Sequence, residues 1–222
     1  MNPAAFIFDA YGTLFDVASV GEACDGLACD PAHLVALWRR KQLEYSFLRA
    51  LMGPAAYVDF WQVTADALDF AAEHLEVTLS GAERRRALEG WLRVHPYPEV
   101  AAALEQLAIT GRMCIILSNG SPSMLHAALS NAGLADRFQA VVSVDAVRSY
   151  KPDPRVYQLG VDAVGEPADR TLFVSSNGWD AAGARAFGLR VAWVNRAEAP
   201  TEPLGFPPDL IVPDLAALVA LV

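Results

Sequence analysis

The chain has 222 residues, 54% of them hydrophobic and 19% charged; that suits one compact domain or a core with a modest insertion, and it excludes a disordered chain. A formal net charge of −9 argues against nucleic acid and anionic membrane surfaces as partners, so any anion site must be built locally from Arg, Lys and backbone N–H groups. No apolar run reaches membrane-spanning length, the N-terminus carries no basic segment ahead of a long apolar one, and three cysteines make no framework; a cytoplasmic protein without leader or span is expected.

Residues 4–8 form a short apolar run that ends at Asp9, with Gly12 and Thr13 close behind, which reads as a buried strand entering a tight loop. Residues 16–96 differ: no convincing strand is predicted there, and amphipathic helices are predicted over about 31–52, 57–75 and 80–94. This block reads as an inserted helical cap domain, and Pro96-Tyr97-Pro98 marks the return to the core. Cys24 and Cys29, with His33 nearby, lack a second Cys/His pair at zinc spacing, so no metal site is expected there.

Beyond residue 97, helical patterns at 98–110, 122–132, 153–164 and 180–187 alternate with apolar runs at 113–117, 140–144, 171–174 and 190–194. Cys114 falls within an apolar run and reads as packing. A proline-rich surface loop over 197–208 leads to a last run at 210–212 and a short helix from Asp214. Alternating strands and helices predict parallel βαβ units. The fold class is therefore α/β, a Rossmann-like parallel sheet core of residues 1–15 and 97–222 with the cap at 16–96.

In such sheets ligands bind beyond the carboxyl ends of the strands. Polar residues concentrate at four of these ends: Asp9-Ala10-Tyr11-Gly12-Thr13, Ser118-Asn119-Gly120, Ser149-Tyr150-Lys151-Pro152, and Ser175-Ser176-Asn177-Gly178-Trp179-Asp180. The histidines at 33, 74, 95 and 126 fall in helical or cap segments, none at a strand end, and none is assigned a catalytic role. A carboxylate such as Asp9 can attack carbon or phosphorus to form an ester, although it could also simply cap the turn that follows. Lys151 could neutralise and orient it. Ser118 and the backbone N–H groups of Ala10 and Tyr11 could hold a carboxylate. Water must later attack the ester, and Asp180 and Asn177 are the candidates to orient and deprotonate it, supported by Thr13, Tyr157, Ser175 and Ser176; Asp180 could also serve as the N-cap of the next helix.

The motifs Phe8-Asp9-Ala10-Tyr11-Gly12-Thr13-Leu14-Phe15-Asp16, Trp38-Arg39-Arg40-Lys41-Gln42-Leu43-Glu44-Tyr45, Leu117-Ser118-Asn119-Gly120 and Phe173-Val174-Ser175-Ser176-Asn177 resemble the L-2-haloacid dehalogenase branch of the haloacid dehalogenase superfamily. The resemblance covers the whole chain. It implies hydrolytic release of halide from short (S)-2-haloacids, giving (R)-2-hydroxyacids through an Asp9 ester, with no metal or organic cofactor. It further implies that Arg39, Asn119 and Trp179 cradle the departing halide. On the cap helix Arg40 can pair with Glu44, whereas Arg39 faces Gln42 and Leu43 without an acidic partner, which favours Arg39 as the free donor. Arg40 departs from the glutamine usual in relatives. Leu43, Phe60 and Trp61 are candidates for an apolar wall, and the cap helices could form a homodimer face as in relatives.

Two other readings use the same fold. Superfamily phosphatases carry a second Asp two residues after the nucleophile and hold Mg²⁺ with further carboxylates. Here that position is Tyr11, and the last loop offers one Asp, which argues against a Mg²⁺-dependent phosphatase. A non-catalytic binding module is opposed by the intact set Asp9, Lys151, Asn177 and Asp180.

Overall fold

The computed structural model describes residues 3–222. β1 (Ala5–Phe8) is wholly buried, as expected of a strand covered on both faces. It lies inside a six-stranded sheet with β4 (Met113–Ser118), β5 (Ala140–Ser143), β6 (Thr171–Ser175), β7 (Arg190–Val194) and β8 (Leu210–Val212), ordered β5-β4-β1-β6-β7-β8. Every pairing in that sheet is parallel. Phe8 is in register with Ile116 on one side and Val174 on the other, so the ends of β1, β4 and β6 reach the same sheet edge. The chain leaves β1 towards β4 and β5 and then returns to build β6, β7 and β8 on the other side. That reversal opens a crevice at the carboxyl ends.

The connecting helices are α4 (Val100–Ile109), α5 (Pro122–Asn131), α6 (Pro154–Val164), α7 (Gly178–Phe187) and α8 (Leu215–Ala220). α6 packs on α7 and α4 on α8. α4 starts two residues later than predicted, because Pro98 and Glu99 complete the turn that precedes it.

Between β1 and β4 the chain is mostly helical: α1 (Pro31–Met52), α2 (Phe60–His74) and α3 (Gly81–Gly90). Caps set these starts. The Asp30 side chain accepts from the Ala32 N–H, Asp59 accepts from the Gln62 N–H, and Ser80 with Glu83 makes a capping box. α3 stops at Gly90 instead of continuing to 94, since Trp91 turns fully inward. α1 and α2 are tied through buried polar groups. Trp38 Nε1 donates to Thr64 O at 2.7 Å and Gln42 Nε2 to Thr64 Oγ1 at 2.7 Å.

The expectation that 16–96 lacks strands is corrected by β2 (Phe15–Asp16), which pairs antiparallel with β3 (His95–Pro96). Two residues are too few to show a period of two. His95 therefore does lie in a strand, but it is exposed and its Nδ1 faces Glu22 at 3.5 Å. Residues Val17–Cys24, not predicted as an element, form a 3₁₀ helix capped by Asp16. The three cysteines are unpaired. No helix among the described residues is long and apolar enough to cross a membrane.

Candidate active site

Asp9 is fixed by the strand before it and the turn after it. Its N–H donates to Val174 O at 2.9 Å, which places it one residue past the end of β1. The chain then folds over Ala10 O, which accepts from the N–H groups of Thr13, Leu14 and Phe15 at 3.1, 2.8 and 3.1 Å. Gly12 sits at φ +91°, a conformation L side chains rarely adopt. Asp9 Oδ1 accepts from Lys151 Nζ at 3.0 Å, and Oδ2 accepts from Thr13 Oγ1 at 3.0 Å and Asn177 Nδ2 at 2.8 Å. A carboxylate so bound is held in one orientation.

Lys151 Nζ also donates to Asp180 Oδ2 at 2.9 Å, and Asp180 Oδ1 accepts from Tyr157 OH at 2.8 Å. Burial alone would push the Lys151 ammonium down, but Asp180 and Asp9 outweigh it and hold its pKa above the ordinary lysine value. Burial pushes the Asp180 carboxyl up to about 6; Lys151 works against that rise and Asp9 adds to it. The cluster thus contains a fixed ammonium, a bound carboxylate, and a second carboxyl that burial raises above the ordinary carboxylate range. A divalent cation of the Mg²⁺ kind needs several hard oxygen ligands. The ammonium bonds both carboxylates of this cluster, and the described residues hold no group of three or more metal-ligating side chains, so this donor set does not fit such an ion.

Asp9 opens onto a small cavity of about 10 Å³. Its polar walls are Arg39, Ser118, Asn119 and Asn177, and its apolar walls are Tyr11, Leu43, Phe60 and Trp179. Asn119 Oδ1 accepts the Lys151 backbone N–H at 3.0 Å, which leaves the NH₂ of Asn119 as its free face. The N–H groups of Ala10 and Tyr11 have no protein acceptor among the described residues. Arg39 descends from α1, with Nη1 donating to Gln42 Oε1 at 2.6 Å and Nη2 to Tyr11 O at 3.3 Å. Its guanidinium also lies over the Trp91 ring at 5.8 Å. The site therefore offers an attacking carboxylate, donors on its rim and a dry wall.

The structure brings Asp9, Tyr11, Arg39, Ser118, Asn119, Asn177 and Trp179 around one cavity, with Lys151, Thr13 and Asp180 behind it. Other expected residues do not reach it. Ser175 Oγ accepts the Asn177 N–H at 3.1 Å and so shapes the loop. Ser176, expected to support the attacking water, points elsewhere, with Oγ accepting from Arg196 Nη1 at 2.7 Å while its N–H donates to Thr13 Oγ1 at 2.8 Å. Tyr157, expected in the same supporting role, reaches no further than Asp180, to whose Oδ1 it donates at 2.8 Å. Trp61 does not line the cavity, although Leu43 and Phe60 do. Asp180 is the third residue of α7 and spends its carboxylate on Lys151 and Tyr157 instead of capping the helix. The expected Arg40–Glu44 pair is replaced by Lys41–Glu44 at 2.9 Å, and Arg39 bonds the neutral Gln42 amide and no carboxylate among the described residues.

Two positioning residues escaped the sequence reading. Gln42 is fully buried and bonds both Arg39 and Thr64; a lone amide within a helix gives little signal. Arg196 stacks on Tyr97 at 3.8 Å and donates to Thr13 O, Ser176 Oγ and Glu99 Oε1 at 3.1, 2.7 and 2.6 Å. It follows Asn195 at the end of β7, a polar pair at a fifth strand end, which was a readable signal.

The sequence matches the family of haloacid dehalogenase-like hydrolases over residues 3–188. It is 47% identical over 215 residues to the (S)-2-haloacid dehalogenase of Pseudomonas sp. (strain YL), covering 96% of this chain and 92% of that protein. It is 43% identical over 222 residues to haloacetate dehalogenase H-2 of Moraxella sp. (strain B), covering 98% and 97%. The fold superimposes with a TM-score of 0.91 on the L-2-haloacid dehalogenase from Xanthobacter autotrophicus with chloropropionic acid covalently bound, at 40% identity, over 99% of this chain and 98% of that one.

Proposed function

This chain belongs to the haloacid dehalogenase-like hydrolases, and we propose that it removes halide from short (S)-2-haloacids by hydrolysis, with Asp9 as the nucleophile. The observation that carries this reading is the buried Asp9 carboxylate, bound by Lys151, Thr13 and Asn177 and facing a cavity rimmed by hydrogen-bond donors. Its support from similarity is the covalent adduct of chloropropionic acid in a relative of the same fold.

The substrate carboxylate is received by Ser118 and by the N–H groups of Ala10 and Tyr11. This presents C2 to Asp9. Displacement from the rear forms a C2–O bond as the carbon–halogen bond breaks, and the halide leaves with the bonding electrons. Arg39 and the Asn119 NH₂ stabilise the departing anion, and Trp179, Phe60 and Leu43 keep water away from it. Halide needs no proton to leave, so Tyr11 suffices where a phosphatase would require an acid. Water then adds to the Asp9 ester carbonyl. Asp180, with its raised pKa, takes a proton from that water. Lys151 balances the charge, the ester C–O bond breaks at Asp9 as the proton held by Asp180 passes to the departing alkoxide, the second water proton passes to solvent, and the (R)-2-hydroxyacid leaves with C2 inverted. No cofactor enters this scheme.

Residues 16–96 serve as the cap over a core of 1–15 and 97–222. The unpaired cysteines support a cytoplasmic, reducing setting. Tyr45, Leu48 and Met52 make a stripe on α1, with Leu48 and Met52 exposed, which supports a homodimer. The acidic charge supports a small-molecule partner over nucleic acid or membrane.

The direct test is chloride release from L-2-chloropropionate in EDTA. Release is expected from the native chain and lost on Asp9→Ala, and a single turnover in H₂¹⁸O should place ¹⁸O in the Asp9 carboxylate. Activity confined to phosphate esters and dependent on Mg²⁺ would sink the reading.

A further inference from the structure

A cavity of about 10 Å³ holds one water molecule. A 2-haloacid has several times as many heavy atoms, so a wall must move. Most walls are pinned. Asp9 and Asn177 bond each other, Asn119 is held by Lys151, and Tyr11 OH reaches Trp91 O at 3.4 Å. Phe60 is 1% exposed and packs against Tyr150 at 5.9 Å.

Trp179 is different. Its Nε1 is buried without a hydrogen-bond partner among the described residues, so no polar contact fixes the ring. Its other side faces an apolar groove of about 450 Å³, walled by Phe47, Leu51, Pro152 and Leu204. Trp179 lines both spaces. Leu43 and Phe47, one turn apart on α1, repeat the arrangement: Leu43 lines the inner cavity, and Phe47 lines the groove while meeting the Trp179 ring edge-on at 4.9 Å.

We infer that Trp179 is a movable wall between the reacting cavity and this groove, and that the groove sets the alkyl chain length the enzyme accepts. Haloacetate needs a small displacement of the ring. Longer (S)-2-haloacids need the indole parked in the groove, with their alkyl tail following the Leu43–Phe47 face. The inference rests on the proposed dehalogenation.

The experiment compares kcat/KM for L-2-bromohexanoate with that for monochloroacetate in the native chain, Leu51→Trp, Leu204→Trp and Phe47→Ala. Leu51 and Leu204 are 84% and 54% exposed, so larger side chains there leave folding intact. Filling the groove in either tryptophan variant should lower the ratio about tenfold or more, with monochloroacetate turnover within about twofold of native. Emptying it in Phe47→Ala should raise the ratio about threefold. A ratio unchanged in all three variants, with the native chain active, overturns the movable wall alone. No halide release from any 2-haloacid by the native chain overturns the functional reading and this inference with it.

Discussion

The strand-end cluster of the core and the α1 face of the cap meet at one small cavity, yet they are built on opposite rules. In the core, Asp9, Lys151, Asp180, Asn177 and Thr13 form one bonded network with every distance between 2.8 and 3.0 Å. On the cap side of the cavity the described residues place one cation, Arg39, which bonds Tyr11 O of the core at 3.3 Å; its neighbours Leu43 and Phe60 are apolar. Bond making thus sits where the scaffold is rigid and the charges are preorganised. Binding and dryness are left to a mostly apolar face, while bonds such as Tyr150 OH to Val58 O at 2.6 Å fasten the cap to the core away from the cavity.

Three substitutions would break or sharpen that contrast. The largest effect is expected from Lys151→Met, which leaves Asp9 and Asp180 as buried carboxylates without their shared cation. Halide release should fall on the order of 10³-fold or more, and stability in chemical denaturation should drop by about 3–5 kcal/mol, the cost of an uncompensated buried charge. Full stability with lost activity would show that Lys151 acts on the reaction alone.

Asp180→Asn comes next and should separate the two chemical steps. One halide per active site is expected in a burst, after which the Asp9 ester persists in intact-mass spectra and steady turnover is about 10²–10⁴-fold slower. In the native chain the base must be ionised. Since its carboxyl is raised to about 6, ester hydrolysis should fall as pH drops through about 6 and reach its plateau above it. An acid limb unchanged in Asp180→Asn would assign that limb to another group.

Arg39→Ala, on the cap side, is expected to cost less. It removes one donor to the halide, the Tyr11 O contact and the donor to buried Gln42 Oε1, so kcat should fall about 10²-fold while stability drops by about 1–2 kcal/mol, less than in Lys151→Met. If it destabilised the fold as much as Lys151→Met, the contrast between the bonded core network and the sparsely charged cap face would be wrong.

The core was legible because its signals are local. Wholly apolar runs such as Ala5–Phe8 can only be buried strands, and a polar residue directly after each run must appear at the sheet edge. Asp9, Ser118, Asn119, Lys151 and Asp180 were readable for that reason, and Arg196 would have been by the same rule. The cap helices were legible in existence, but their ends followed caps at Asp59 and Ser80 and the inward turn of Trp91. β2 and β3 were not legible, being two residues each and 80 apart in sequence.

By itself, then, the sequence determined the α/β order, the helical insertion and the identity of the groups that can do chemistry, because periodicity and position after a strand are properties of neighbouring residues. Tertiary structure alone decided what those groups do to one another. It turned Ser176 towards Arg196 and away from the cavity, set Tyr157 behind Asp180, and brought Arg39 to Tyr11 O. It also raised Asp180 by burying it beside Asp9, against the pull of Lys151. Hydrogen-bond direction and desolvation depend on groups that only the fold brings together, such as Tyr157 and Asp180, 23 residues apart in the chain, and no local pattern encodes them.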